Sequence, residues 1–141
     1  SPEEQAKYPP ATCADGHMVA GFGCRGAYCD DVRLRCQDTA YTPASVSWTP
    51  TSTQPVCPAG SFVSGVECSG AYCSSMRLEC TQFWFVTQTS CAWTTLPFSE
   101  EGVATSFGPK YLAGVRCSGS NCDDHYFYLC NAASSIKVVG L

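Results

Sequence analysis

The chain has 141 residues, a formal net charge of −4 and twelve cysteines, with 45% of its residues hydrophobic and 14% charged. That length suits one domain with a modest core, and the composition excludes a disordered chain. Basic residues neither cluster nor interleave with aromatics, which excludes a nucleic-acid footprint, and no apolar run approaches the roughly 20 residues of a membrane-spanning helix. Residues 1–4, Ser-Pro-Glu-Glu, carry no basic and apolar leader, so any export signal is expected to have been removed.

In chain order, residues 7–10 (Lys-Tyr-Pro-Pro) hold almost no strand-like sequence. A first unit follows. Met18, Ala20, Phe22 and Cys24 alternate with Val19, Gly21 and Gly23, then a short loop leads to Val32, Leu34 and Cys36, alternating with Arg33 and Arg35. Period two with one apolar face predicts a β-hairpin. Ser45-Val46-Ser47-Trp48 is a further strand candidate. The second unit repeats the pattern, with Phe62, Ser64, Val66 and Cys68 before its loop and Met76, Leu78 and Cys80 after it. Gln82-Phe83-Trp84-Phe85-Val86 is again strand-like, and the longest spacer then carries Pro97-Phe98-Ser99-Glu100-Glu101-Gly102. In the third unit Tyr111, Ala113, Val115 and Cys117 precede the loop, and the strand after it runs to Cys130. Ile136-Lys137-Val138-Val139 is the last strand candidate. One domain over 1–141 is expected, with three internal repeats at about 13–36, 57–80 and 107–130 and a C-terminal strand, 134–141, closing the first sheet. Such self-similarity makes each repeat one supersecondary unit.

An even cysteine count far above ordinary usage reads as a disulfide framework from an oxidising, extracellular compartment. Zinc would want C-x2-C pairs or Cys/His quartets. The closest cysteines here are spaced C-x4-C, and His17 and His125 are expected to stand apart from them, so neither metal nor other cofactor is expected. The symmetry of the repeat suggests the pairs. Cys24–Cys29, Cys68–Cys73 and Cys117–Cys122 would clamp the three loops. Cys13–Cys36 and Cys57–Cys80 would clip the first two units, and Cys91–Cys130 takes the remaining two.

Gly26-Ala27-Tyr28-Cys29-Asp30, followed by alternating Val32 and Leu34, resembles the G-x-x-x-D loop and following strand of the jacalin-related lectins. Gly119-Ser120-Asn121-Cys122-Asp123 is similar to the same loop, whereas the second copy has Ser74 in place of the aspartate. Cys57-Pro58-Ala59-Gly60, Arg77-Leu78-x-Cys80 and the tryptophans at 48 and 93 resemble a cysteine-rich relative of that fold, vitelline membrane outer layer protein I. The resemblance implies an all-β, disulfide-stapled type I β-prism of three Greek-key sheets with threefold pseudo-symmetry. A β-trefoil is the alternative architecture. The resemblance to the lectins also implies sugar binding at the loops, through Gly26, Tyr28, Asp30 and Asp31 in the first copy and Gly119, Asn121, Asp123 and Asp124 in the third.

A sugar site needs a carboxylate to accept hydrogen bonds from paired hydroxyls, amides to donate, and an aromatic face for the C–H surface. Tyr28 with Asp30 and Asp31 places these parts on one turn, although turn acids also serve simply to cap loop amides. The acidic pairs lack the dense oxygen-ligand string of a calcium loop. Trp48, Trp84 and Trp93 are expected to pack between sheets. Glu100 and Glu101 could serve glycan hydrolysis only with a carboxylate across the bond, such as Glu67 or Asp124, and no spacing suggests a nucleophile elbow. The expected function is a secreted, non-enzymatic carbohydrate-binding module with glycans or glycoproteins as partners. A structural or protein-interaction domain of a matrix, coat or defence protein is the alternative, and a glycan-active enzyme follows behind.

Overall fold

The structure, a computed structural model, describes residues 10–25, 29, 31–99, 104–119 and 122–134. The chain is all-β. Its strands are β1 (Ala11–Thr12), β2 (His17–Arg25), β3 (Asp31–Asp38), β4 (Pro43–Trp48), β5 (Ser61–Ser69), β6 (Ser75–Phe83), β7 (Val86–Trp93), β8 (Phe98–Ser99), β9 (Thr105–Ser106), β10 (Tyr111–Ser118) and β11 (Asp124–Ser134), with a 3₁₀ turn at Ala71–Cys73. Among the described residues they form three antiparallel sheets, ordered β1-β5-β6-β4, β10-β11-β7 with β8 also on β11, and β3-β2-β9. Each sheet is built on one alternating hairpin: β2–β3, β5–β6 or β10–β11.

The linkers tie the hairpins together in a cycle. β1, ahead of the first hairpin, pairs with β5 of the second. Val56, ahead of the second, bridges to Gly114 of the third, and β9, ahead of the third, pairs with β2 of the first. The amides of Cys13, Cys57 and Phe107 accordingly donate to the carbonyls of Ser64, Ala113 and Ala20 at 2.8, 2.8 and 2.9 Å. The longer linkers run the same way round, β4 along β6 and β7 along β11. Thr49 and Thr94 repeat one another at the ends of these strands. Their amides donate to Leu78 and Phe127 carbonyls, and their hydroxyls accept the amides of the same two residues. Of the C-terminal strand expected over 134–141, Ser134 belongs instead to β11, paired with Val86 of the β10-β11-β7 sheet. The rest lies outside the described residues.

This exchange explains the recurrent glycine. A Cβ at Gly21 would stand 2.7 Å from the Thr105 carbonyl oxygen. At Gly65 it would stand 2.9 Å from Thr12 Cγ2, and at Gly114 3.0 Å from Val56 Cγ2. Each glycine is where a neighbouring unit's strand comes in too close for a side chain.

Simple alternation fails at one point per hairpin. Register shifts fall at Val19/Gly21, Val63/Gly65 and Leu112/Gly114, each a bulge that turns the strand by one residue. Met18, Ala20 and Phe22 therefore do not form a single buried row. Val19 with Phe22, Val63 with Val66 and Leu112 with Val115 enter a central core shared with Val32, Met76, Leu78 and Phe127. Met18 and Phe62 enter a second cluster with Phe83, Val86, Ala113 and Cys130. Each such side chain, fully buried, contributes roughly 1.5–3 kcal/mol.

All twelve cysteines are bonded, as Cys13–Cys36, Cys24–Cys29, Cys57–Cys80, Cys68–Cys73, Cys91–Cys130 and Cys117–Cys122. The third unit departs from the others in register. Cys36 and Cys80 lie opposite Val19 and Val63, but the residue opposite the equivalent Leu112 is Leu129, and Cys130 lies one place on, opposite Tyr111. Phe107 and Leu129 thus stand where the first two units have a cystine.

Candidate functional site

The three loops share one backbone feature among the described residues. The second cysteine of each is left-handed, with φ of 54° at Cys29, 52° at Cys73 and 57° at Cys122, and Gly70 and Gly119 are left-handed at 70° and 79°. A cystine joining residues five apart brackets each loop.

The candidate ligand residues are distributed unevenly. Gly26, Tyr28, Asp30 and Asn121 lie outside the described residues. Asp31 is only 3% exposed, at the buried start of β3 opposite Arg25. Its side chain is enclosed within the described residues rather than open to solvent. In the third unit Gly119, Asp123 and Asp124 do come together. A methyl group at Gly119 would stand 3.9 Å from Asp123 Cβ and 3.9 Å from Asp124 Oδ2. Both acids are half-buried, and neither has a side-chain hydrogen bond or ion pair to another described residue. Asp124 opens β11, between Ser118 of β10 and Ser99 of β8. The second loop offers hydroxyls instead. A Cβ at Gly70 would stand 2.7 Å from Ser74 Oγ, and Ser75 Oγ donates to the Ser69 carbonyl.

His125 is the residue that sequence reasoning misplaced. Its Nε2 lies 3.4 Å from Cys122 Sγ, and its Nδ1 is buried without a hydrogen-bond partner among the described residues. Burial lowers its pKa to about 4. Cys117, Cys122 and His125 gather their ligand-type atoms within 4.8 Å. The two sulfurs are bonded to each other, however, so the thiolates a metal would need are absent. The clue was in the repeat, since the ladder sets His125 at the place of Val32 and Met76.

The tryptophans are not packed between sheets. Trp48 and Trp93 are half-buried on the solvent side of their strands. The Arg77 guanidinium lies 4.5 Å above the Trp48 ring, and Arg77 Nε donates to Glu67 Oε1 at 2.6 Å. Arg116 lies over both Trp93 and Tyr126, at 5.5 and 4.5 Å. Glu67 is therefore engaged in an ion pair, and Glu100 and Glu101, its suggested hydrolytic partners, lie outside the described residues. Trp84 is 58% exposed and Phe85 59%, at a turn between β6 and β7 where a continuous strand was expected. No glycine, proline or asparagine marks that turn.

Compared with protein-family models, with curated proteins and with solved structures, the chain matches none of them. Its six disulfides are compatible with an extracellular protein, and among the described residues no helix is long and apolar enough to cross a membrane.

Proposed function

We propose that the chain is a secreted, non-enzymatic carbohydrate-binding module on a threefold type I β-prism, with sugar bound at its cystine-clamped turns. The cyclic exchange of linker strands among three hairpins supports the prism over a trefoil. The observation that carries the functional reading is the third turn. Left-handed Gly119 and Cys122 flank a cystine-clamped loop that ends in two consecutive acids, Asp123 and Asp124, both close to Gly119 and with no side-chain partner among the described residues. Two such acceptors suit the vicinal hydroxyls of a saccharide, and the bridge lowers the entropy lost on binding. Asp30 carries the same role in the first turn.

A glycan array probed with the oxidised protein tests this. Specific retention is expected, and Asp30→Ala with Asp123→Ala in one chain should abolish it while leaving the unfolding midpoint in place. Retention unchanged in that double variant would remove the turns from the reading.

A further inference from the structure

The turn joining β6 to β7 presents the largest exposed aromatic feature among the described residues, and the proposed sugar turns make no use of it. Trp84 and Phe85 are both more than half exposed, with ring centroids 6.3 Å apart and planes inclined at 43°. They border a groove of about 360 Å³ with Ser45, Gln82 and Thr87. The turn lies at the far end of β6 from the Cys68–Cys73 loop, and nine strand residues separate the two by roughly 25 Å.

Two features show that this tip is held for presentation. Phe85 adopts φ of 62°, a left-handed conformation that is strained for a bulky residue and that glycine would take freely. The amide of Trp84 donates to the Thr42 carbonyl at 2.9 Å, fastening the turn to the chain just ahead of β4. Strain kept at an exposed aromatic pair points to what the rings offer rather than to the fold.

Charge selects the ligand class. No charged residue lies between Asp38 and Glu67, nor between Glu79 and Glu100. β4, the end of β6, the tip and β7 are therefore wholly uncharged, and their exposed polar groups are the hydroxyls and amides of residues such as Ser45, Gln82, Thr87 and Thr89. The nearest charges that other elements bring lie away from the groove, Lys110 against Ser90 further along β7 and Asp15 with Glu79 beside Pro43 and Val46. Among the residues lining the groove itself an anionic lipid surface, an acidic peptide or a basic one finds no opposite charge. Neutral hydroxyl and amide groups around exposed ring faces match a neutral polysaccharide, whose C–H faces stack on aromatics and whose hydroxyls need uncharged partners.

We propose that the Trp84–Phe85 tip and its groove form a second saccharide site, specific for a neutral polysaccharide chain. It shares the carbohydrate-binding class with the function proposed above but none of its residues, so the two stand or fall separately.

The test is retention of the oxidised protein on particles of chitin, cellulose and β-1,3-glucan, alongside phosphatidylcholine vesicles and a measurement of oligomeric state. Retention on at least one polymer is expected, weakened about tenfold or more by Trp84→Ala. Phe85→Gly should weaken it too while keeping or raising the unfolding midpoint, which separates lost stacking from lost folding. The Asp30→Ala/Asp123→Ala chain should be retained like the parent. Retention unchanged in both tip variants overturns the proposal, as does failure to bind all three polymers. Tip-dependent vesicle binding or self-association without polymer retention also overturns it, assigning the tip to lipid or to a second copy.

Discussion

His125 occupies a position that its two counterparts give to apolar side chains. The ladder pairs Cys24 with Val32, Cys68 with Met76 and Cys117 with His125, and all three of these second-strand residues are fully buried. Burial lowers the His125 pKa from 6.5 to about 4. Between those values the unfolded chain binds a proton that the folded chain refuses, so stability is complete above 6.5 and is lost as the pH falls towards 4. At roughly 1.4 kcal/mol per pH unit, the whole interval is worth about 3 kcal/mol. His125→Met installs the residue that the second unit already carries and changes the volume little. It also removes the orphaned Nδ1, which should stabilise the chain by about 1–2 kcal/mol even at pH 7.5. The measurement is denaturant unfolding of both oxidised proteins at pH 7.5, 5.5 and 4.0. Every carboxylate is common to the two proteins, so the difference between them isolates the imidazole. That difference should widen by about 3 kcal/mol from pH 7.5 to 4.0. A constant difference would refute the assignment of a neutral, buried imidazole.

The equivalence of Phe107 and Leu129 to the clip positions of the first two units predicts that Phe107→Cys with Leu129→Cys forms a seventh bridge. Loss of two hydrogens by mass and resistance to alkylation would show it, and two free thiols would refute the Leu112–Leu129 register. Gly114→Ala should drive a Cβ against Val56 and the Pro55 carbonyl, costing about 1–3 kcal/mol in unfolding free energy. The same substitution at Gly108, which has open space but φ of 66°, should cost about 1 kcal/mol from the backbone alone. Equal losses at the two glycines would argue against the close approach of neighbouring units.

The hairpins were legible because a half-buried strand writes its period of two into the sequence. The disulfide pairs were legible because the motif occurs three times. What escaped was non-local. A bulge leaves no mark in alternation except an unexplained buried pair, such as Met18 beside Val19, and the exchange of short strands such as β1 and β9 rests on two ladder pairs each. In the Trp84–Phe85 tip the aromatics mimic a strand, and the turn is enforced by the pairings of β6 with β4 and of β7 with β11 rather than by turn chemistry. Asp31 looked like a loop acid only because its burial depends on the packing of the whole first hairpin.

The third unit shows how one residue redirects a fold's covalent frame. Cys29 to Cys36 and Cys73 to Cys80 span seven positions, while Cys122 to Cys130 spans eight. Side chains alternate along a strand, so that single step carries Cys130 to the opposite face from Leu129. Leu129 packs against the central core beneath Phe107, whereas Cys130 enters the second cluster, where Cys91 of β7 meets it. The bridge thereby changes its role. In the first two units a cystine closes a 23-residue span within one repeat, but here a 39-residue span links the second linker to the third hairpin. The longer loop removes slightly more entropy from the unfolded chain. It also fastens β7, and with it one side of the Trp84–Phe85 tip, to β11, whose first residue is Asp124 of the cystine turn.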